Sequence, residues 1–115
     1  MVNLLDTDMK KYLEGVGKVF KTLGKEQPES IKAFQKFNQA VKNEGILPNK
    51  TKELIGIALS IAHQCKFCVA LHVSNALKAG ATRDEILEAS MVAVTLGGGP
   101  SLMFMNYVLD ALEDL

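Results

Sequence analysis

The sequence predicts an all-α, single-domain bundle of about six helices, and three observations predict it. No run of residues sustains the apolar–polar alternation of a half-buried strand. Glycine and proline fall where helices should end, at Gly45, Pro48, Gly80 and Gly97-Gly98-Gly99-Pro100. At 115 residues the chain has room for one domain, spanning 1–115, and for only a modest core.

The first helix is expected from about Asp8 to Leu23, interrupted by Gly15 and Gly17. The second has Pro28 in its first turn, where a missing N–H costs little, and Gly45 at its end. Ile31, Phe34, Phe37 and Val41 form its apolar stripe. A third follows Pro48-Asn49 and runs through Leu54, Ile57, Leu59 and Ile61. The fourth begins near Cys65 and Cys68 and ends at Ala79-Gly80. The fifth opens on a capping box, Thr82-Arg83-Asp84-Glu85, in which Thr82 and Glu85 each satisfy the other's backbone donor. It should stop at Gly97-Gly98-Gly99-Pro100, leaving a sixth helix from about Ser101 to Leu112. The glycine run lacks the Lys-Ser/Thr of a phosphate loop and reads as a helix break.

Two of these helices are too apolar for the surface of a monomer. From Leu54 to Ala62 only Ser60 carries a polar side chain. The last helix presents Leu102, Met103, Phe104, Met105, Tyr107, Val108 and Leu109 on nearly every side. A helix apolar all round must be buried all round, which a domain this small can hardly do alone. A homo-oligomer is therefore expected, and Met91, Met103 and Met105 read as core or interface packing.

Charge narrows the partners. The 13 basic and 13 acidic residues balance, which excludes the basic footprint of a nucleic-acid binder. No basic amphipathic stretch points to a membrane surface. The opening Met-Val-Asn-Leu-Leu-Asp-Thr-Asp lacks the charged head and apolar core of a signal peptide. Leu54 to Ala62 falls well short of the roughly 20 residues needed to span a bilayer. The expectation is a soluble cytoplasmic protein. A close cysteine pair in that reducing compartment does redox chemistry or binds metal more often than it staples a fold.

Cys65 and Cys68 are the only cysteines, and His72 follows four residues later. On a helix all three share one face. A dithiol at a helix N-terminus is reactive for a physical reason: free amides and the helix dipole stabilise a thiolate, and a nearby imidazole can move its proton. Three-residue spacing lets one sulfur reach the other. The plainer reading, two buried cysteines acting as small hydrophobes, fits less well with the polar His63-Gln64 just before them. His63, Cys65, Cys68 and His72 could also be read as zinc ligands, but four ligands at one helix start cannot easily surround an ion. No resident metal and no cofactor are expected, and His63 carries no assigned role. Alone, His72 would read as a core histidine and Glu53 as a solvated first-turn carboxylate favoured by the dipole.

From Glu53 to Glu88 the chain resembles the carboxymuconolactone decarboxylase superfamily, in its alkylhydroperoxidase AhpD-like branch. The matching elements are a Glu twelve residues before the first Cys, the Cys65-x-x-Cys68 pair and His72 four residues on. Asn75-Ala-Leu-Lys-Ala-Gly-Ala-Thr-Arg-Asp-Glu-Ile continues the helix, Gly-Ala-Thr turn, helix pattern. The resemblance implies an all-α fold that assembles into dimers, trimers or hexamers. It also implies a thiol-dependent peroxidase acting in antioxidant defence on a peroxide and a dithiol reductant. A disulfide reductase or redox adaptor working on a partner protein is the alternative. Carried over, Cys65 and Cys68 become the redox pair, and Glu53 and His72 the proton relay. One departure stands out: Phe67 occupies the position of a second relay histidine in AhpD-type peroxidases. The decarboxylase branch lacks the cysteine pair and is the more distant relative. A metal-binding or assembly module is the non-enzymatic alternative.

Overall fold

Five helices carry residues 8–115, the part of the chain that the computed structural model describes. They are α1 (Met9–Glu26), α2 (Pro28–Lys42), α3 (Asn49–Ala62), α4 (Lys66–Lys78) and α5 (Arg83–Asp114), with no strand among the described residues. The all-α expectation holds. The expected fifth and sixth helices share the range of α5 as two helical segments that meet at Gly98, whose φ of 63° and ψ of −143° are non-helical. Pro100 lies just beyond the bend, a first-turn position where its missing N–H has no partner to lose. The glycine run therefore breaks the helical path where the sequence places a break. The capping box at Thr82 and Glu85 is formed in both directions.

Helix α1 also runs unbroken through Gly15 and Gly17. Gly15 serves a close approach: a Cβ there would lie 2.6 Å from the Phe67 ring. Phe67 meets Tyr12 edge to face at 5.0 Å, and the Lys66 amine sits 4.9 Å from the Tyr107 ring and 5.9 Å from that of Tyr12. These aromatic and cation–π contacts pin α1 and α5 to the first turn of α4.

The core forms where α3, α4 and α5 meet. Ile57 and Ile61, Val69 and Val73, Ile86 and Val108 are fully buried there, joined by Met9 of α1. Burying each such side chain favours folding by about 1.5–3 kcal/mol. Helix α2 contributes no buried residue. It is held by stacking of Phe34 on Phe20, at 6.1 Å between centroids, and by polar ties at its C-terminal end. Asn49 Nδ2 donates to the Lys42 carbonyl at 2.8 Å, and Lys52 Nζ donates to the carbonyls of Val41 and Asn43 at 2.8 and 2.6 Å.

The two strongly apolar helices each bury one side and leave another bare. In α3, Ile57 and Ile61 are enclosed while Ile55 and Leu59 are exposed. In α5, Met105 and Val108 are buried while Leu102, Met103 and Leu109 are exposed. Helix α5 is long and apolar enough, by length and composition, to cross a membrane. Its bend at Gly98 and its packing along α3 and α4 instead make it the backbone of the bundle.

Candidate active site

The cysteine pair sits at the corner between α3 and α4, and backbone hydrogen bonds fix that corner. His63 caps α3 and Gln64 then takes a left-handed conformation, φ 53°. The Gln64 N–H donates to the Ile61 carbonyl at 3.1 Å and the Cys65 N–H to the Ser60 carbonyl at 3.0 Å, a Schellman closure. The end of α4 repeats the pattern with glycine in the left-handed place, Gly80 at φ 90°. Gln64 has a Cβ, so its conformation costs about 1–2 kcal/mol. That cost is carried one residue before the dithiol.

Cys65 is at once the residue that closes α3 and the N-cap of α4, its sulfur accepting the Cys68 N–H at 3.2 Å. Cys65 and Cys68 are joined in a disulfide, with Cα atoms 5.2 Å apart. A sulfur at this helix start faces free amides and the positive end of the dipole, the surroundings that stabilise a thiolate once the bond is reduced.

One turn after Cys68, His72 Nδ1 lies 2.9 Å from Glu53 Oε2. The other carboxylate oxygen accepts from the Lys42 amine. Glu53 is 2% exposed, so the first-turn carboxylate that a sequence reading would leave in water is enclosed. Burial alone would raise its pKa. The hydrogen bonds from His72 and Lys42, with their charges, outweigh that and hold it below the usual carboxylate value. An ionised Glu53 can only accept, so the Nδ1–H of His72 donates to it and Nε2 is the ring nitrogen not engaged with the carboxylate.

The imidazole is also held by what is missing beside it. A Cβ on Gly56 would fall 2.7 Å from His72 Nδ1, so only glycine lets the ring lie against α3. Gly56→Ala is expected to push the ring off Glu53 and slow thiol alkylation of the reduced protein roughly tenfold at neutral pH. Circular dichroism should still report a folded helical protein. An unchanged alkylation rate would show that ring position does not matter to the sulfurs.

Two clefts flank the disulfide. The larger, about 840 Å³, lies between α1, α2 and α4; Val16, Val19, Phe20 and Phe34 give it apolar walls, and Cys68 and His72 are among its lining. The smaller, about 610 Å³, is lined by Cys65, Cys68, His72 and His63, with Leu47, Ile55 and Leu59. Cys68 and His72 therefore face both spaces, whereas Cys65 lines only the smaller.

Of the four residues singled out from sequence, Cys65, Cys68 and His72 line one cleft and Glu53 stands behind His72. His63 reaches the same cleft and makes no side-chain hydrogen bond among the described residues. Sequence reading missed Lys42, which arrives from the end of α2, and Gly56, whose part is visible only once α3 and α4 are packed. Among the described residues no three His, Cys, Asp or Glu side chains converge on a metal-sized site.

Fold and site together define an all-helical protein with a disulfide at a helix start and a carboxylate-held imidazole one turn away. Residues 28–113 match the Carboxymuconolactone decarboxylase family, and the chain belongs to that family, in keeping with its AhpD-like branch. It is 37% identical over 111 residues to an uncharacterised protein of Cupriavidus necator, covering 96% of this chain and 98% of that one. An uncharacterised protein of the cox locus of Paracoccus denitrificans is 34% identical over 83 residues, covering 72% and 75%. Among solved structures, the apo form of a carboxymuconolactone decarboxylase family protein from Legionella pneumophila superposes with a TM-score of 0.83 at 40% identity, covering 92% of each chain. A family member from Thermotoga maritima, described as a candidate for involvement in the antioxidative response, superposes with a TM-score of 0.80 at 28% identity, covering 90% and 88%.

Proposed function

We propose that this protein is a thiol-dependent oxidoreductase that reduces hydroperoxides through the Cys65–Cys68 pair. The observation that carries the reading is the disulfide at the start of α4 with the Glu53-held His72 one turn along. The reduced Cys68 thiol gives its proton to His72 and attacks the terminal peroxide oxygen. The O–O bond breaks, the sulfur becomes a sulfenic acid, and the alkoxide takes the proton back to leave as an alcohol. The Cys65 thiol then condenses with the sulfenic acid, forming the disulfide and releasing water. A dithiol donor attacks the disulfide and leaves as its own disulfide, returning both thiols. Cys68 takes the attacking role because it lines the large cleft beside His72, and Cys65 does not. Capped by the Cys68 N–H, Cys65 is suited to leave as a thiolate during reset. The description of the Thermotoga relative agrees with an antioxidant role.

A second reading is reduction of a partner protein's disulfide by the same dithiol with no peroxide involved. Phe67 favours it, since an apolar ring packed on Tyr12 stands where a second proton carrier would be useful. Peroxide consumption with several dithiol donors, on wild type and Cys68→Ser, separates the two. Peroxide turnover lost in the variant supports the first reading. Disulfide exchange without peroxide turnover moves the assignment to the second, and silence in both assays removes the dithiol function.

The bare apolar faces of α2, α3 and α5 support assembly into a homo-oligomer. Light scattering is expected to report a dimer or larger, and a stable monomer at micromolar concentration would contradict this. A cytoplasmic location goes with the reading, since the cycle draws on a reducing pool of dithiols.

A further inference from the structure

Lys42 belongs to no part of the cysteine motif, yet it holds one of the two oxygens of a carboxylate that is almost wholly buried. Its own side chain is 19% exposed, so the amine is drawn in from the surface end of α2 toward α3. The backbone is committed to this placement too. Asn49 bonds the Lys42 carbonyl, and Lys52 bonds the carbonyls on either side of it. Helix α2 has no buried residue of its own, so the inward reach of Lys42 is not a by-product of core packing. Other charged groups approach without pairing. Glu44 and Lys78 line a small cleft with Glu53, while Lys52 and His63 line the cleft on the His72 side. Among the described residues only Lys42 and His72 bond the carboxylate.

We propose that Lys42 is a positioning residue for the dithiol chemistry, holding the Glu53 carboxylate in the orientation that fixes the His72 imidazole. The inference rests on the reading in which His72 moves the cysteine proton. The amine occupies Oε1, so the carboxylate offers Oε2 to Nδ1 and the ring keeps one tautomer and one direction. Without the amine, a buried Glu53 has one fewer reason to stay ionised. Once protonated, it loses the charge that stabilises an imidazolium. His72 then becomes a poorer acceptor of the thiol proton, and Lys42 never touches the sulfur.

Alkylation of the reduced protein, followed by mass spectrometry across pH, is the test. Lys42→Met should slow Cys68 alkylation roughly tenfold at pH 7 and move the midpoint of the pH profile upward by about one unit. Lys42→Arg, which restores a cation of similar reach, should recover most of the rate. In a Glu53→Gln background, Lys42→Met should add nothing further, because its effect runs through Glu53. NMR of the His72 ring in each variant supplies a readout that loose packing of α2 would not imitate, since the Nδ1–H signal held by Glu53 should weaken or shift in Lys42→Met and return in Lys42→Arg. A folded Lys42→Met protein with a wild-type pH profile, or losses that add in the double variant, overturns the proposal. If His72→Ala alkylates like wild type, the underlying proton-transfer reading has failed instead. The two failures are therefore distinguishable.

Discussion

Cys68→Ser is expected to abolish peroxide turnover, a loss of roughly a thousandfold or more, whereas Cys65→Ser should leave the first chemical step intact. The argument is one of position. Cys68 lines the cleft that a peroxide would enter and lies one turn from the imidazole proposed to take its proton. Cys65 lies at the closed corner where α3 ends and α4 begins, its sulfur turned to the Cys68 amide. With Cys65 replaced, Cys68 should still consume one equivalent of peroxide and stop as a sulfenic acid. Intact mass should then show a gain of one oxygen that dimedone can trap. With Cys68 replaced, no such burst should occur. A sulfenic acid trapped on Cys65 in Cys68→Ser, with full burst rate, would reverse the roles of the two sulfurs. Intermolecular dimers as the main product of oxidised wild type would remove the intramolecular cycle altogether.

Much of this arrangement was legible in the sequence because it is local. The capping box at Thr82, the helix start at Pro28 and the corner at Cys65 each depend on residues within a turn of one another. Such patterns survive in one dimension. The dithiol and His72 are equally local, spaced on one helix. Glu53 was legible only through the family resemblance, since nothing in its own neighbourhood distinguishes it from a solvated first-turn carboxylate. Lys42 and Gly56 were not legible at all. Their parts arise from distances across packed helices, and a lysine at a helix end or a glycine in an apolar run has several commoner explanations. The glycine run at 97–99 was legible for the same local reason. Three glycines and a proline signal a break, and Gly98, in a conformation outside the helical region, separates the two segments of α5.

The largest effect on stability is expected at Glu53. Glu53→Ala should cost about 3 kcal/mol, because breaking a buried charged network leaves its partners uncompensated. The figure sits at the low end for such networks because Lys42, 19% exposed, can turn back to water, while His72 loses the carboxylate that holds its Nδ1. Glu53→Gln should cost less, since an amide oxygen still accepts from one partner. The pH dependence carries the sign that identifies the cause. Glu53 is held below its ordinary value of 4.5 in the folded chain. Ionisation therefore stabilises the fold at every pH above that value, and the contribution is lost as pH falls through the lowered folded value. The stability difference between wild type and Glu53→Gln should be present in full while the carboxylate is ionised. It should shrink as acid titrates the carboxylate. Urea unfolding at four or five pH values, followed by helical ellipticity, measures the difference directly. A gap that stays constant down to pH 3 would mean that Glu53 gains nothing from its partners. A gap that widens in acid would mean that burial prevails over Lys42 and His72, so that the carboxyl is neutral in the working protein and cannot support an imidazolium.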